Sequence, residues 1–460
     1  MSAARRIGIL AGGGTLPREI ADSLTARGIP VHIVALDGEA NADFGPYPVT
    51  RVNWGEIGRM VSTFKETACT DLVIIGSVKR PDLAAVKPDR GFVAALGTVL
   101  GLVLAGGDDS VLRGVIAFFE GHGFRVASPA ELVPELVIGS GELLPCENSL
   151  ALLGDAQAGF DIIAALGRFD IGQAAVVCNG QLEALEAAEG TDRMLQRLAA
   201  QRLATQRRAE ASASWERAGV LVKRAKPAQD SRIDLPAIGP ETVSRAVDCA
   251  LGGIVVEAGY VIAANRSELI SRAQLAHLCI TGVSLAKDGA GVRRRAGRGR
   301  MSWSGRLLAA IRARRQVRQL PMQKVGRHAM PSRVLRDAKK GLEVMAALKP
   351  FGGSRAVVVV RGHVLAVETG EGVASALGRA AGLRQWGDTR LKRRAGTVVI
   401  DAGRDCMPDL IEHLKHAGFA GLVVKLRRFT AGVPADTIAE ADKAGVFIVG
   451  VAADEEHEDG

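Results

Sequence analysis

Aromatic residues make up only 4% of this 460-residue chain: twelve Phe, four Trp and two Tyr. Proteins that grip single-stranded nucleic acid stack bases on such rings. The scarcity argues against a nucleic-acid partner despite a formal net charge of +9. Cysteine is sparse too. Six occur, at 69, 146, 178, 249, 279 and 406, and no two form a CxxC pair. That spacing points to reduced cytoplasmic thiols rather than to zinc or a disulfide framework. Long apolar runs are also missing. The longest, FVAALGTVLGLVLAGG at 92–107, is broken by glycines and falls short of the ~18–20 apolar residues that span a bilayer. It reads as a buried helix. Arg5 and Arg6 lead straight into Ile7, so no secretory leader is expected.

What is present is unevenly distributed. From Ser284 to Arg336 there are fifteen Lys and Arg against one acid, Asp288, a local charge of +14 that leaves −5 for the rest. A mildly acidic body therefore carries one strongly basic, Arg- and Gly-rich linker. Within the linker, SWSGRLLAAIRARRQVRQL at 302–320 fits a helix with Trp303, Leu307, Leu308 and Ile311 together and arginines around them. Such a segment suits either an anionic membrane surface or an acidic protein face.

The first ~145 residues alternate strand-like and helix-like runs. Strands are expected at Ile7–Leu10, Val31–Leu36, Asp71–Gly76 and Phe124–Ala127. This order predicts an α/β domain, residues 1–150, with a Rossmann-like parallel sheet, helices on both faces and ligands at the carboxyl ends of the strands. The remainder repeats itself. Residues 160–190 align without gaps on 342–372 at an offset of 182, and 252–283 align on 420–451 at an offset of 168. Ten of the 32 positions in the second block are identical, too many in the same order for shared hydrophobic patterning. Two copies of an α/β C-terminal domain follow, at 151–283 and 337–455, with the linker 284–336 between them. The smaller offset means that the second copy is shorter in the middle, on or beside KPAQDSRID (226–234). A fold survives the loss of a surface loop, whereas an active site does not survive the loss of its charges.

Candidate chemistry follows that contrast. The stretch RIGILAGGGTLPREIA (6–21) ends a strand in three glycines and begins a helix at Pro17, the geometry that offers backbone N–H groups to a phosphate. It lacks the GxGxxG spacing of a dinucleotide fold, although Asp37 stands where a ribose-binding acid would. A cofactor, another phosphorylated ligand and a plain structural turn all remain open for it. GSVKRPD (76–82) places Lys79 and Arg80 after a strand, and GGDD puts Asp108 and Asp109 at a helix start, where Asp also serves as a cap. Lys223 ends a strand in copy one, and Lys226, Gln229, Asp230, Arg232 and Asp234 follow. In an extended loop, 230, 232 and 234 would share one side, giving two carboxylates for a hard cation such as Mg²⁺ and a guanidinium for phosphoryl charge. EGTD (189–192) becomes EGVA in copy two, and Gln173 becomes Arg355. Glu189 and Gly190 are kept, as turn residues would be; Thr191 and Asp192 are lost along with the loop.

In this order AGGGTLP, WGEIG (54–58), GSVKRPD, GGDD, GQAAVV (172–177), EGTD and KPAQDSRIDLPAIGP (226–240) resemble the UDP-2,3-diacylglucosamine pyrophosphatases of the LpxI type, over about residues 5–283. The resemblance implies a Rossmann-like N-terminal domain, a C-terminal domain of its own type and a substrate held between them. It implies Mg²⁺-dependent hydrolysis of UDP-2,3-diacylglucosamine to UMP and 2,3-diacylglucosamine 1-phosphate (lipid X) for lipid A synthesis, with water attacking the phosphorus next to the sugar. Carried onto this chain, it makes Asp230, and after it Asp234, metal ligands or activators of the water, with Arg232 and Lys223 beside them in catalysis. It assigns substrate contacts to Gln173, Glu189, Gly190, Thr191, Asp192, Lys226 and Gln229. From the N-terminal side it adds Gly13, Gly14, Thr15, Leu16, Gly76, Lys79 and Arg80. The double-acylated substrate places the protein in the cytoplasm, at the inner face of the membrane, with the basic linker as a source of attraction. Everything after 283 departs from the family. A nucleotide- or NAD-binding oxidoreductase, and a non-catalytic protein that binds a lipid precursor, are the alternatives; metal dependence and product formation separate them.

Overall fold

A computed structural model describes residues 5–78, 88–91, 108–145, 149–208, 217–226, 230–285, 322–384, 394–401, 408–426 and 432–452. Outside these lie Lys79, Arg80, Gln229, the run at 92–107 and the basic stretch at 302–320. The chain divides into two compact units: one of residues 1–145, 228–244 and 256–284, the other of 146–227, 245–255 and 285–460.

The first unit is built on β1 (Ile7–Ala11), β2 (Val31–Leu36), β3 (Val49–Val52), β4 (Asp71–Ile75) and β5 (Arg125–Val126), in the order β3-β2-β1-β4-β5. All four pairings are parallel. A parallel sheet is covered on both faces because its crossovers run over both. Here α1 (Leu16–Ala26) supplies Ile20, Ala21 and Leu24 to the cluster of Ile7, Ile9 and Val73. On the other face α2 (Ile57–Glu66) and α3 (Asp108–Gly121) bring Met60, Phe64, Ile116 and Phe119 to Leu10, Val34 and Leu72. The expected doubly covered sheet is observed. β3 is an additional strand: its VTRV sequence has only Val52 fully buried, so no apolar run announces it. α4 (Pro129–Leu132) follows β5, capped by Ser128, whose side chain accepts from the Glu131 N–H.

Two further six-stranded sheets have matching orders. With β6 (Gly141–Leu144), β7 (Ala174–Cys178), β8 (Gln181–Leu185), β9 (Val220–Lys223), β11 (Gly253–Glu257) and β13 (Cys279–Val283), one runs β6-β13-β11-β9-β7-β8. With β14 (Met322–Lys324), β15 (Ala356–Val360), β16 (His363–Val367), β17 (Thr397–Asp401), β18 (Gly421–Leu426) and β19 (Phe447–Ala452), the other runs β14-β19-β18-β17-β15-β16. The short strands β10 (Ala237–Ile238) and β12 (Ile262–Ala263) form a separate parallel pair. The likeness of the two sheets extends to irregularities. The β7–β8 hairpin breaks register between Val176 and Val177, and the β15–β16 hairpin between Val358 and Val359. Both turn through a left-handed non-glycine residue and a glycine, Asn179–Gly180 and Arg361–Gly362. A buried aspartate one helix earlier accepts both turn amides: Asp155 from α5 (Ser149–Leu166) in the first, Asp337 from α9 (Leu335–Leu348) in the second. Each of these helices carries a glycine with no room for a side chain, since a Cβ would stand 2.5 Å from Val222 at Gly159 and 2.4 Å from Val399 at Gly341.

Two expectations are corrected. Cys279 is disulfide-bonded, so the thiols are not all reduced; Cys69, Cys178 and Cys249 are free. The stretch 230–234 is not extended, as set out below. Among the described residues no helix is long and apolar enough to cross a membrane.

Candidate functional site

The glycine turn after β1 owes its composition to a close backbone approach. A Cβ on Gly12 would lie 2.6 Å from the Ser77 carbonyl oxygen, and one on Gly76 would lie 2.7 Å from the Gly12 carbonyl carbon. Gly14 faces open space but sits at φ +89°, a conformation that favours glycine. The amides of all three glycines donate within the protein: Gly12 to the Ile75 carbonyl, Gly13 to the Ser77 carbonyl and Gly14 to Asn41 Oδ1. The donors left at the helix entrance are those of Thr15 and Leu16, which precede the first intrahelical bonds, from Arg18 and Glu19 to the Thr15 carbonyl. Among the described residues, the amides that the turn leaves to offer therefore lie one or two residues later than its glycines.

The part of the charged loop from residue 228 onward belongs to the same unit as this turn. The Asp230 carbonyl accepts from both Ile233 and Asp234 N–H, so residues 230–234 form one tight turn. Asp230 Oδ1 accepts from the Arg232 amide (3.1 Å) and Nε (2.9 Å), and Oδ2 from Arg232 Nη2 (2.7 Å). An aspartate that bonds the backbone two residues on folds a turn locally, and this competes with the extended form. Arg232 also reaches Glu120 of α3 at 2.9 Å. Its guanidinium holds the Asp230 carboxyl below the usual range, with Arg113 of α3 adding to the effect. Ile233 packs against the cluster on one face of the parallel sheet, while Leu235 enters the cluster on the other. Two residues apart, they take the chain around the rim of the sheet. Leu16 packs against the same cluster as Leu235.

The second unit holds the other candidates. Lys223 ends β9, only 8% exposed, in register with Ala174 of β7. The position equivalent to Lys223 in copy two, in register with Ala356, is Ile400. Lys226 pairs with Asp170, itself in the left-handed region. The Gln173 carbonyl accepts from the Arg224 amide (3.0 Å), and its own N–H donates to Glu186 Oε2 (2.7 Å). Glu186 Oε1 accepts from the Thr191 hydroxyl at 3.0 Å. One carboxylate thus ties two candidates to each other. Thr191 and Asp192 open α6 (Thr191–Arg208), where the aspartate complements the helix dipole. Gly190 precedes it at φ +82°. The Glu189 side chain is 1% exposed and ion-paired to Arg197 and Arg379, which gives it a structural part.

Sequence reasoning missed Arg113, Glu120 and Glu186. The first two lie seven residues apart on α3, a same-face spacing that GGDD at its start made available. Glu186 has a counterpart, Glu368, which accepts from the Arg355 amide; a residue kept in both copies does not stand out in a contrast between them.

One buried acid here gives a stability prediction. Burial raises Asp161 of α5 to about 6, with Gln157 and Arg224 opposing the shift. The folded state then binds a proton that the unfolded chain releases, so stability is lost as pH climbs from about 4 to about 6. Asp161→Asn keeps the acceptor for Gln157. It should raise stability at pH 8 by about 1–3 kcal/mol and leave it unchanged at pH 4, in urea unfolding at both pH values.

The comparisons with known proteins agree with one another. The family model described as the LpxI N-terminal domain matches residues 6–136, and that described as the LpxI C-terminal domain matches twice, at 140–281 and 321–449. A relative from Caulobacter vibrioides, "UDP-2,3-diacylglucosamine pyrophosphatase LpxI", is 37% identical over 279 residues, which is 61% of this chain and 98% of that relative.

Proposed function

Because the chain belongs to the LpxI family, we propose that it is a hydrolase that cleaves the diphosphate of UDP-2,3-diacylglucosamine in lipid A synthesis. Water adds to one phosphorus, the bridging P–O bond breaks, and the products are UMP and 2,3-diacylglucosamine 1-phosphate. The observation that carries this reading is the 37% identity over 98% of a relative that bears that name. The charged turn at 230–234, intact in copy one, supports it.

Arg232 keeps Asp230 ionised, which readies the carboxylate to hold a cation or to orient water. Mg²⁺ suits the donor set. Asp230 Oδ1 already accepts two bonds, but Oδ2 accepts one and keeps a lone pair. Among the described residues no cluster of three or more metal-ligating side chains occurs. This ion is commonly held by one or two carboxylates together with substrate phosphates. Asp230 and Asp234 are the residues to hold it, and when bound it would offset charge on the phosphoryl oxygens. Within the second unit Lys223 and Lys226 supply positive charge of the kind that suits phosphate, and within the first the Thr15 and Leu16 amides offer donors at a helix N-terminus. Gln173, Thr191 and Asp192 serve substrate recognition. The +14 segment at 284–336 supplies attraction to an anionic leaflet, about 1 kcal/mol for each Lys or Arg near the surface.

The metal assignment has a direct test. Chelation of divalent ions should abolish UMP formation by the full chain, and added Mg²⁺ should restore it. Turnover that persists at full rate in chelator contradicts the assignment and leaves Asp230 as an activator of water alone.

A further inference from the structure

Four charged side chains close a ring where the two C-terminal copies meet, all within the second compact unit. Arg197 lies 3.0 Å from Glu189 of its own copy and 2.8 Å from Glu371 of the other. Arg379, of α10 (Val373–Leu383), pairs with Glu371 of its own copy and lies 3.1 Å from Glu189 of the other. The glutamate side chains are at most 3% exposed and those of the arginines at most 13%. The pattern is reciprocal. Glu189 and Glu371, like Arg197 and Arg379, are separated by the repeat offset of 182. Each arginine also donates to an equivalent carbonyl, Arg197 to Leu185 and Arg379 to Val367. Helices α5 and α9, equivalent by the same offset, pack against each other, and Ala188 of copy one packs on the core of copy two.

Reciprocity of this kind, in which residue i meets j of the partner and j meets i, defines an isologous two-fold contact. A surface with this property recognises a second copy of itself. Copy two keeps every member of the ring while it carries Ile400 for Lys223, Val373 for Thr191, Ala374 for Asp192 and Arg355 for Gln173. It has lost the polar candidates and kept the pairing surface.

We propose that copy two is a tethered pseudosubunit: it occupies, within one chain, a self-pairing surface of copy one whose natural partner is a second copy of the same domain. The chain is thus an internal pseudodimer with one working centre. This rests on the proposed function only in saying which copy works; the pairing itself is independent of substrate.

A charge exchange confined to copy two tests it. In E371R/R379E the pairs inside each copy survive, but Arg197 faces an arginine and Glu189 a glutamate. Copy one remains complementary to copy one of another chain. Light scattering should show the particle mass at least doubled relative to the unsubstituted chain. Adding E189R/R197E makes the ring complementary again and should return the mass to the parental value, including where the double variant alone folds poorly. A double variant that folds with parental mass overturns the proposal, as does a fourfold variant that fails to recover it.

Discussion

Replacing Asp230 by asparagine should lower UMP formation by about 10²–10³-fold while the chain stays folded. The carboxylate is the group in the 230–234 turn best prepared to act as an anion: the Arg232 guanidinium grips both its oxygens and holds its carboxyl below the usual range. Asparagine keeps one acceptor oxygen for the Arg232 amide, so the turn persists, but it removes the charge that a cation or a reacting water needs. The structural cost is small. The side chains of the pair are 20% and 39% exposed, and an ion pair so near solvent contributes at most about 1 kcal/mol. A melting temperature within a few degrees of the parent, together with lost turnover, places Asp230 in the chemistry. A variant that turns over normally removes it from there.

The second large effect is expected at Lys223. Lys223→Ile installs the residue that copy two carries at the same register position, where Ile400 is fully buried. The sheet has thus already accepted that side chain in an equivalent setting. A lysine 8% exposed pays desolvation that isoleucine does not, which offsets what its interactions contribute, so the variant should stay folded. UMP formation should fall about 10²-fold or more, the scale of removing one group that stabilises developing charge. Activity lost only in step with unfolding would instead mark Lys223 as a structural residue.

The parallel sheet of the first unit was legible because its strands are continuous apolar runs broken by glycine and proline; VTRV at 49–52 lacks such a run and was missed. The repeat was legible as two gapless blocks. Its most informative members, Arg197 and Arg379, lie seven positions beyond the end of the first block at the same offset, so extending the alignment would have reached them. No sequence could have told that they meet, because that contact belongs to the packing of one copy on the other. The 230–234 segment was recognised by its charges and misjudged in shape. The aspartate's hold on the Arg232 amide folds it into a turn, a local preference that alternation of charges conceals. At the glycine turn the residue types were read correctly, but the reason differs: Gly12 and Gly76 are needed for backbone against backbone, and the amides of all three glycines are spent inside the fold.

The account stands on a diphosphate being split in two by this chain. Phosphorus NMR of the full chain incubated with UDP-2,3-diacylglucosamine and Mg²⁺ follows both halves at once. Equal amounts of UMP and 2,3-diacylglucosamine 1-phosphate, growing as the diphosphate signals fade, are the predicted result. Release of UDP, or a substrate that binds and stays whole, contradicts it.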